Sequence, residues 1–206
     1  GKNGLNYNLA RITINSSDFG YGNYDYLDGA DASLESFTLK NEETRAIPAI
    51  KEVNKIHGEK IKLFASPWSP PAFMKTTKTM NEGGKLLPEH YSTWAKYFAL
   101  YLKGMESYDL KVDYISIQNE PEAKQRWESC LWTAEEEALF IRDYLVPELK
   151  AHKLDTKIFI WDHNRDEIVR RARITLGDPE VRKHVYGIAY HWYVSDAHHH
   201  LSIVHN

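Results

Sequence analysis

The sequence predicts an α/β fold, a (β/α)8 TIM barrel of which it supplies about five β/α units. Apolar strand-like runs alternate with helical patterns, which indicates a parallel sheet with right-handed crossovers. Each run ends in polar and aromatic side chains, and no glycine-rich phosphate-binding motif follows any of them. A barrel gathers residues from many strand ends into one site, whereas an open doubly wound sheet binds ligands at one switch point. These observations favour the barrel.

Five apolar runs are predicted to be the parallel strands. They cover residues 9–14, 61–65, 112–121, 157–161 and 185–190. Their length and their content of branched and aromatic residues are typical of buried strands. Because the carboxyl ends of barrel strands lie on one face of the barrel, we expect one site built from five strand ends.

Helical patterns separate these strands. Residues 89–108 place apolar side chains three and four positions apart, which predicts a helix with one buried stripe. Residues 135–151 repeat the pattern, and Thr133 is expected to be the N-cap with Glu136 as its capping-box partner. Shorter helices are predicted over residues 43–56 and 167–176.

The length of the chain predicts an incomplete barrel. A (β/α)8 barrel typically takes about 250 residues, whereas this chain has 206 residues and five strand-like runs. It begins with Gly1-Lys2-Asn3 and ends at Asn206, soon after the fifth run. We therefore expect residues 1–206 to be one partial catalytic barrel, with the remainder of the same barrel supplied as a separate segment.

Composition and charge exclude several classes of function. A net charge of -3 argues against electrostatic binding of nucleic acid. No apolar run approaches the ~18 residues that a membrane-spanning helix needs. The single cysteine, Cys130, excludes a disulfide within the chain. Aromatic residues make up 13% of the chain, which favours a cleft lined by rings.

Glu120 is the leading candidate for a catalytic residue. It ends the third strand-like run, and Pro121 after it prevents further strand pairing. Hydrolysis of a glycosidic bond needs one carboxylic acid to protonate the leaving oxygen and a second carboxylate to attack the sugar or activate water. Glu122 lies two residues further along the same loop, so it is not expected to oppose Glu120 across a substrate.

The other strand ends supply further candidates. A glycosidase also needs aromatic faces for sugar rings and polar groups for hydroxyls. The rings are Trp68, Trp161, Trp192 and Tyr193, and the polar candidates are Arg11, Asp18, Gln118, Asn119, Asp162, Asn164 and His191. The run of histidines at residues 198–200 is interpreted as a solvated loop and not as a set of metal ligands.

Four ordered motifs resemble those of glycoside hydrolase family 30. They are SPWSPPAFMK at residues 66–75, QNEP at 118–121, WDHNR at 161–165 and GIAYHWY at 187–193. The family includes glucosylceramidases, β-1,6-glucanases and β-xylosidases or β-fucosidases. The resemblance extends through nearly the whole chain, including RITINSSDF at residues 11–19.

The resemblance implies roles for individual residues. Glu120 matches the general acid/base of the family, and Asn119 matches the residue that hydrogen-bonds the sugar 2-hydroxyl. Arg11 is similar to a strand-end arginine that supports the carboxylates. Asp18, Trp68 and Asp162 match positions that hold the glycone, and His191 and Tyr193 match residues that line the site beside the two carboxylates. Asn164, at a strand end, and Trp132, shortly after the acid/base, are expected at the substrate from their own positions. Of these, Trp132 is assigned to a wall that binds the aglycone, formed by residues 127–132.

The resemblance also implies an activity. In the family the nucleophilic glutamate lies one strand beyond the His-Trp-Tyr motif, so it is expected beyond residue 206. The family's first barrel strand, last two strands and accessory β-sandwich have no counterpart in this chain. We expect the parent protein to be a retaining, glucosylceramidase-like β-glycoside hydrolase that acts on a carbohydrate or glycolipid and needs no metal or organic cofactor. The resemblance favours a secreted or periplasmic location.

Two other interpretations remain open. One is a catalytically incomplete carbohydrate-binding or scaffold fragment, which would keep the aromatic rings without turnover. The other is a β-1,4-glucanase or xylanase barrel, because Asn-Glu-Pro occurs in many barrel glycosidases. The motifs at residues 66–68 and 161–164 disfavour this second interpretation.

Overall fold

The structure consists of parallel strands that alternate with helices. A computed structural model describes residues 4–205, and residues 1–3 and 206 of the predicted barrel segment lie outside the described residues. The strands are β1 Leu9–Ile14, β2 Lys62–Pro67, β3 Tyr114–Ser116, β4 Lys157–Asn164 and β5 Val185–His191. The helices are α1 Ala46–His57, α2 Tyr91–Ser107, α3 Ala134–Phe140, α4 Val146–Ala151, α5 Ile168–Thr175, α6 Pro179–Arg182 and α7 His199–His205.

The sheet order confirms the predicted fold class. All neighbours are parallel and run in the sequential order β1-β2-β3-β4-β5, with at least one helix between each pair. Sequential parallel strands with helical crossovers are consecutive β/α units of a (β/α)8 barrel. The described residues therefore form five units of such a barrel.

Strand β3 is shorter than the sequence predicts. The apolar run extends over residues 112–121, but strand pairing is limited to Tyr114–Ser116. Beyond β3, the amide of Asn119 still donates to the carbonyl of Pro67 at 2.8 Å. The chain then turns at Glu120, where φ is 49°. Asn119 and Glu120 thus lie beyond the paired part of β3, and each keeps one backbone hydrogen bond to a neighbouring strand, to Pro67 in β2 and to Asp162 in β4.

The predicted helices are present, with one irregularity. In α2 the apolar stripe is buried, and its fully buried side chains include Trp94, Tyr97 and Phe98. The helix predicted over residues 135–151 is α3 and α4 joined by a π-helical turn, Ile141–Leu145. A proline at the start of α4 has no backbone N–H to donate, which explains the wide turn before it. Within residues 4–205, no helix is long and apolar enough to cross a bilayer.

Local capping follows the sequence prediction. The hydroxyl of Thr133 accepts a hydrogen bond from the amide of Glu136 at 3.1 Å, and the Glu136 carboxylate accepts one from the amide of Thr133 at 2.8 Å. This reciprocal pair is a capping box. It fixes the start of α3 directly after the loop that follows β3.

The face of the sheet opposite the helices is layered. Rings from four adjacent strands pack with centroid distances between 5.4 and 5.9 Å, namely Phe64, Tyr114, Phe159 and Tyr186. Side chains alternate between the two faces of a strand. Ser66 and Ser116, two residues beyond the rings of β2 and β3, therefore lie on the same face, with their hydroxyls 2.8 Å apart. An aromatic floor supports a polar layer nearer the strand ends.

The two outer strands of this sheet leave apolar surface exposed. Leu9 in β1 is 54% exposed, and Tyr186 and Tyr190 in β5 are 57% and 50% exposed. Among the described residues, neither β1 nor β5 has a strand on its outer side. Such edges present unpaired N–H and C=O groups to the solvent.

A polypeptide limited to residues 1–206 is expected to associate and to bind a hydrophobic dye, because both edges stay unpaired. Dye fluorescence and sedimentation velocity measure this, with the parent protein that contains this chain as the control. A monomer that binds no dye and unfolds in one sharp transition would contradict the prediction.

Candidate active site

One cleft of about 510 Å³ lies at the carboxyl ends of the strands. Its lining residues lie in or after each of the five strands. They are Arg11, Asp18, Phe19, Trp68, Asn119, Glu120, Gln125, Trp127, His163, Asn164, His191, Tyr193 and Val194. A cleft at this face of a barrel is where barrel enzymes carry out their chemistry.

Glu120 is held in this cleft by its backbone. Its φ of 49° lies in the left-handed region, which is unfavourable for a residue with a Cβ. Its amide donates to the carbonyl of Asp162 at 3.0 Å, and its carbonyl accepts from the amide of Ala123 at 2.9 Å. The side chain is 16% exposed. A shielded carboxylate that is still reachable from the cleft is suited to proton transfer.

A bulge in β4 determines which way Asp162 points. The pairing of β4 with β5 skips one position between Trp161 and His163, so Asp162 has no partner on β5. Trp161 and Asp162 have φ values of 75° and 53°, both in the left-handed region. Trp161 faces the helices, where its ring centroid lies 5.5 Å from the guanidinium carbon of Arg171. The bulge therefore turns Asp162 toward the polar layer on the opposite face.

The carboxylate of Asp162 is the centre of a buried hydrogen-bond network. It is 2% exposed and accepts from Arg11 at 2.7 Å, Ser66 at 2.8 Å, Ser116 at 2.6 Å and Nε2 of His191 at 2.9 Å. Burial by itself would raise its pKa. The hydrogen bond from His191 and the charge of Arg11 outweigh burial and hold the pKa of Asp162 well below its ordinary value. Asp162 is therefore a buried anion.

Arg11 connects this anion to the cleft. One guanidinium nitrogen donates both to Asp162 and to Oδ1 of Asn119, the latter at 2.9 Å. The guanidinium carbon lies 4.7 Å from the ring centroid of Trp68, within the range of a cation–π contact. Because Arg11 binds the carbonyl oxygen of the Asn119 amide, the network assigns the NH2 group of Asn119 to the cleft.

His191 lies between the carboxylates of Asp162 and Glu120 and is hydrogen-bonded to both. Its Nε2 lies 2.9 Å from Asp162, and its Nδ1 lies 3.0 Å from Oε1 of Glu120. Burial opposes the charged ring, but hydrogen bonds to Asp162 and Glu120 outweigh it and raise the pKa of His191 to about 9. The ring is therefore an imidazolium at neutral pH, with one N–H directed at each carboxylate.

The same contacts determine the charge of Glu120. Burial alone would raise the pKa of its carboxyl group, but the hydrogen bond from His191 and the nearby His163 and His191 rings lower the pKa below its ordinary value. With only the described residues around it, Glu120 is therefore ionised at neutral pH.

The structure brings most of the sequence-predicted site residues together. Eight of the ten line the cleft, namely Arg11, Asp18, Trp68, Asn119, Glu120, Asn164, His191 and Tyr193. The other two are Trp132 and Asp162. Asp162 is expected to hold the glycone, but it lies beneath the cleft and does not line it. The reason is that its oxygens are already bound by four protein donors.

Trp132 does not belong to the cleft wall. It is 3% exposed and its ring packs against those of Tyr91 and Phe140, at centroid distances of 5.8 and 5.2 Å. The amphipathic helix α2 needs apolar partners for its buried stripe, and Trp132 is one of them. Within the 127–132 wall, the ring that lines the cleft is Trp127.

Three candidate rings and amides also differ from expectation. Trp161 is 1% exposed and faces the helices, whereas Trp192 is 73% exposed and does not line the cleft. Gln118 is 1% exposed and donates to the carbonyl of Trp68 at 2.7 Å. Gln118 therefore supports the backbone beside the cleft.

Sequence reasoning missed Gln125 and His163 as cleft residues. Gln125 lies on an irregular loop with no periodicity to interpret, and it lines the cleft together with Glu120. His163 lies within the WDHNR motif, four residues beyond Phe159, and alternation along β4 places both on the same face, so this signal could have found it. Burial lowers the pKa of His163.

A buried ion pair behind the site was also missed. Glu137 and Arg171 are 1% and 0% exposed, and their side chains are 3.4 Å apart. Glu137 accepts a hydrogen bond from the amide of Trp161 at 3.1 Å, and Arg171 donates to the carbonyl of Trp132 at 2.8 Å. Glu137 is therefore buried, whereas its neighbour Glu135 is exposed. Glu137 stabilises the β4 bulge from the helix side.

The surroundings of Glu122 agree with its exclusion as a paired carboxylate. Its two oxygens accept hydrogen bonds from Arg170 at 2.7 Å, and one also accepts from Arg171 at 3.1 Å. These contacts tie the loop after Glu120 to α5.

Comparisons with known proteins place this geometry in context. The family model for the glycosyl hydrolase family 30 TIM-barrel domain matches residues 1–206. The lysosomal acid glucosylceramidase of Mus musculus is 35% identical over 202 residues, which make up 93% of this chain and 39% of the mouse protein. The chain thus spans about two fifths of the length of this curated relative.

Solved structures give the same picture. SrfJ from Salmonella typhimurium is 40% identical, with a TM-score of 0.92 over 97% of this chain and 45% of the SrfJ chain. The endo-β1,6-glucanase BT3312 is 29% identical, with a TM-score of 0.89 over 99% of this chain and 47% of its own.

The placement of the two tryptophans predicts different stabilities of their variants. Trp132→Ala is expected to lower the free energy of unfolding by about 3–5 kcal/mol, because it leaves a cavity in the core. Trp127→Ala is expected to lower it by less than about 1 kcal/mol, because that ring is 37% exposed. Denaturant unfolding of the parent protein measures both, and equal losses would contradict this placement.

The imidazole of His191 is expected to keep both ring protons at pH 7.5 and to titrate near pH 9. Its raised pKa means that the proton is lost only as the pH rises through that value. NMR titration of labelled parent protein measures it, with His191→Gln assigning the signal. Asp162→Asn should lower the pKa of His191, because it removes a buried negative charge. Titration of His191 at or below the ordinary value of about 6.5 would disprove the network.

Proposed function

Because the chain belongs to glycoside hydrolase family 30, we propose that its parent protein is a retaining β-glycoside hydrolase in which Glu120 is the general acid/base. One observation carries the proposal: Glu120 lies on the loop that follows β3, lines the cleft and accepts a hydrogen bond from His191. In this role Glu120 protonates the leaving oxygen in the first step and removes a proton from water in the second.

Asn119 is suited to bind a sugar hydroxyl. Its carbonyl oxygen is bound by Arg11, so its NH2 group is the part that remains for substrate. It lies directly before Glu120 and lines the same cleft. A donor at this position supports the role of binding the 2-hydroxyl, a contact that strengthens in the transition state.

The protonation of Glu120 supports double displacement. The described residues favour its ionised form, which is the form a base needs. The first step requires the acid form, and a second carboxylate nearby would raise the pKa of Glu120 by like-charge repulsion. When that carboxylate becomes glycosylated it loses its charge, and Glu120 returns to the environment described here. We place this nucleophilic glutamate beyond residue 206.

The proposed domain organisation follows from the same argument. Residues 1–206 would supply five of the eight β/α units. The first strand, the last two strands and an accessory β-sandwich would lie elsewhere in the parent protein. The open edges at β1 and β5 are where those strands would pair.

The proposed substrate is a β-glucoside or related β-glycoside, in a glucosylceramidase-like reaction. A relative and a structural neighbour are named as a glucosylceramidase and an endo-β1,6-glucanase, which supports this substrate class. Trp68, Trp127 and Tyr193 offer ring faces in the cleft. His163 and Asn164 also line the cleft and add polar side chains beside these rings.

Substitution of the acid/base tests catalysis. Glu120→Gln in the parent protein is expected to lower kcat/KM on a β-glucoside by about 10²- to 10⁴-fold, because the amide cannot transfer a proton. Glu89→Gln, which changes an exposed carboxylate outside the cleft, is the matched control and should keep full activity. If the unsubstituted protein binds glucosides without turnover, the alternative of a carbohydrate-binding scaffold replaces this proposal.

The stereochemistry of the first product tests the mechanism. Double displacement by two carboxylates keeps the configuration of the anomeric carbon, so the first glucose released should be the β-anomer. Proton NMR during the first minutes of hydrolysis distinguishes the anomers before they interconvert. Release of the α-anomer would contradict a retaining mechanism while leaving Glu120 as an acid.

A further inference from the structure

Lys75 is a buried cation that the proposed reaction does not use. Its side chain is 0% exposed, although it lies at the start of a loop between β2 and α2. Its Nζ donates to the carbonyl of Met80 at 2.9 Å and to the carbonyl of Ser129 at 2.6 Å. Burying an ammonium group without such acceptors is costly. Both acceptors are backbone carbonyls, so Lys75 holds two segments of the backbone in place.

The two carbonyls belong to two different loops. Residues 75–87 follow β2, and residues 121–133 follow Glu120; together they are called the loop pair. Backbone hydrogen bonds between the loops run from Ser129 N to Met80 O at 3.0 Å, Glu82 N to Gln125 O at 2.9 Å and Leu131 N to Gly84 O at 2.7 Å. Lys75 donates to a carbonyl on each loop, so its buried ammonium group links the two loops.

Ser129 links the loop pair to the residues that line the cleft. Its hydroxyl accepts hydrogen bonds from the amides of Gly83 at 2.9 Å and Gln125 at 3.1 Å. Residues 125–129 are thereby held as a compact turn. This turn presents Gln125 and Trp127 to the cleft that Glu120 also lines.

We propose that Lys75 is a positioning residue that holds the loop pair so that Gln125 and Trp127 form the leaving-group side of the cleft. This inference rests on the proposed function, because Glu120 must meet the leaving oxygen and Gln125 lines the same cleft. The ring of Trp127 and the amide of Gln125 suit a leaving group that has a ring face and hydroxyls, which is a sugar. Lys75 itself does not touch the substrate.

The kinetic test compares two leaving groups in the parent protein. Lys75→Met keeps the length of the side chain but cannot donate, and it is expected to lower kcat/KM at least tenfold on a β-linked glucose disaccharide. On an aryl β-glucoside, whose better leaving group depends less on that side of the cleft, the loss should be under threefold. A role in overall stability alone would affect both substrates equally, and that result would overturn the proposal.

Lys78→Met is the matched control. Lys78 lies on the same loop and also donates to a backbone carbonyl, that of Phe73 at 2.9 Å, but it is exposed. This variant should retain activity on both substrates within twofold. A selective loss in Lys78→Met equal to that in Lys75→Met would overturn the proposal, because the effect would then not depend on the buried lysine.

Hydrogen exchange separates this inference from the proposed activity. In Lys75→Met the amides of Gly83, Gln125 and Leu131 are expected to exchange at least tenfold faster, with the amides of α2 unchanged. Ser129→Ala keeps Lys75 but removes the hydroxyl, and it should speed up exchange of the amides of Gly83 and Gln125. This variant provides the test if Lys75→Met does not fold. Unchanged exchange in the loop pair would overturn the positioning role even if the protein is a glycosidase. Absence of turnover with accelerated exchange would contradict only the proposed function.

Discussion

The site depends on one buried anion, the carboxylate of Asp162. A carboxylate in a water-poor interior is unfavourable unless its oxygens are bound, and here four donors bind them. Two of these donors, Arg11 and His191, reach onward to Asn119 and Glu120. The orientation of the Asn119 amide and the proton environment of Glu120 are thus both set by a residue that does not line the cleft. The polar layer acts as one unit, since loss of any member leaves a buried partner unsatisfied.

Periodic patterns account for the part of the molecule that the sequence predicts well. The five strands, the stripe of α2 and the capping box at Thr133 are local features, and their residues lie two, three or four positions apart. The convergence of the strand ends also follows from the fold, because parallel strands in a barrel finish on one face. For that reason a list of residues read from strand ends contains eight that line one cleft.

Most features that the sequence did not predict depend on a break in periodicity or on distant partners. Regular alternation would place Trp161 on the same face as Phe159, but the bulge moves it to the helix side. Trp127 and Trp132 lie on an aperiodic loop, so nothing local distinguishes the exposed ring from the buried one. Glu137 resembles its two acidic neighbours in sequence, and only its contacts with Trp161 and Arg171 show that it is buried.

Because of the bulge in β4, the direction in which Trp161 and Asp162 point depends on the number of residues in the strand and not only on their identity. A β4 with one residue fewer directly after Asp162 could keep its sheet pairing and both Trp161 and Asp162. Its alternation would then place an indole among the serines and a carboxylate against the helix layer. In an alignment of related barrels, a single gap in this segment should therefore count as heavily as replacement of the acid/base itself.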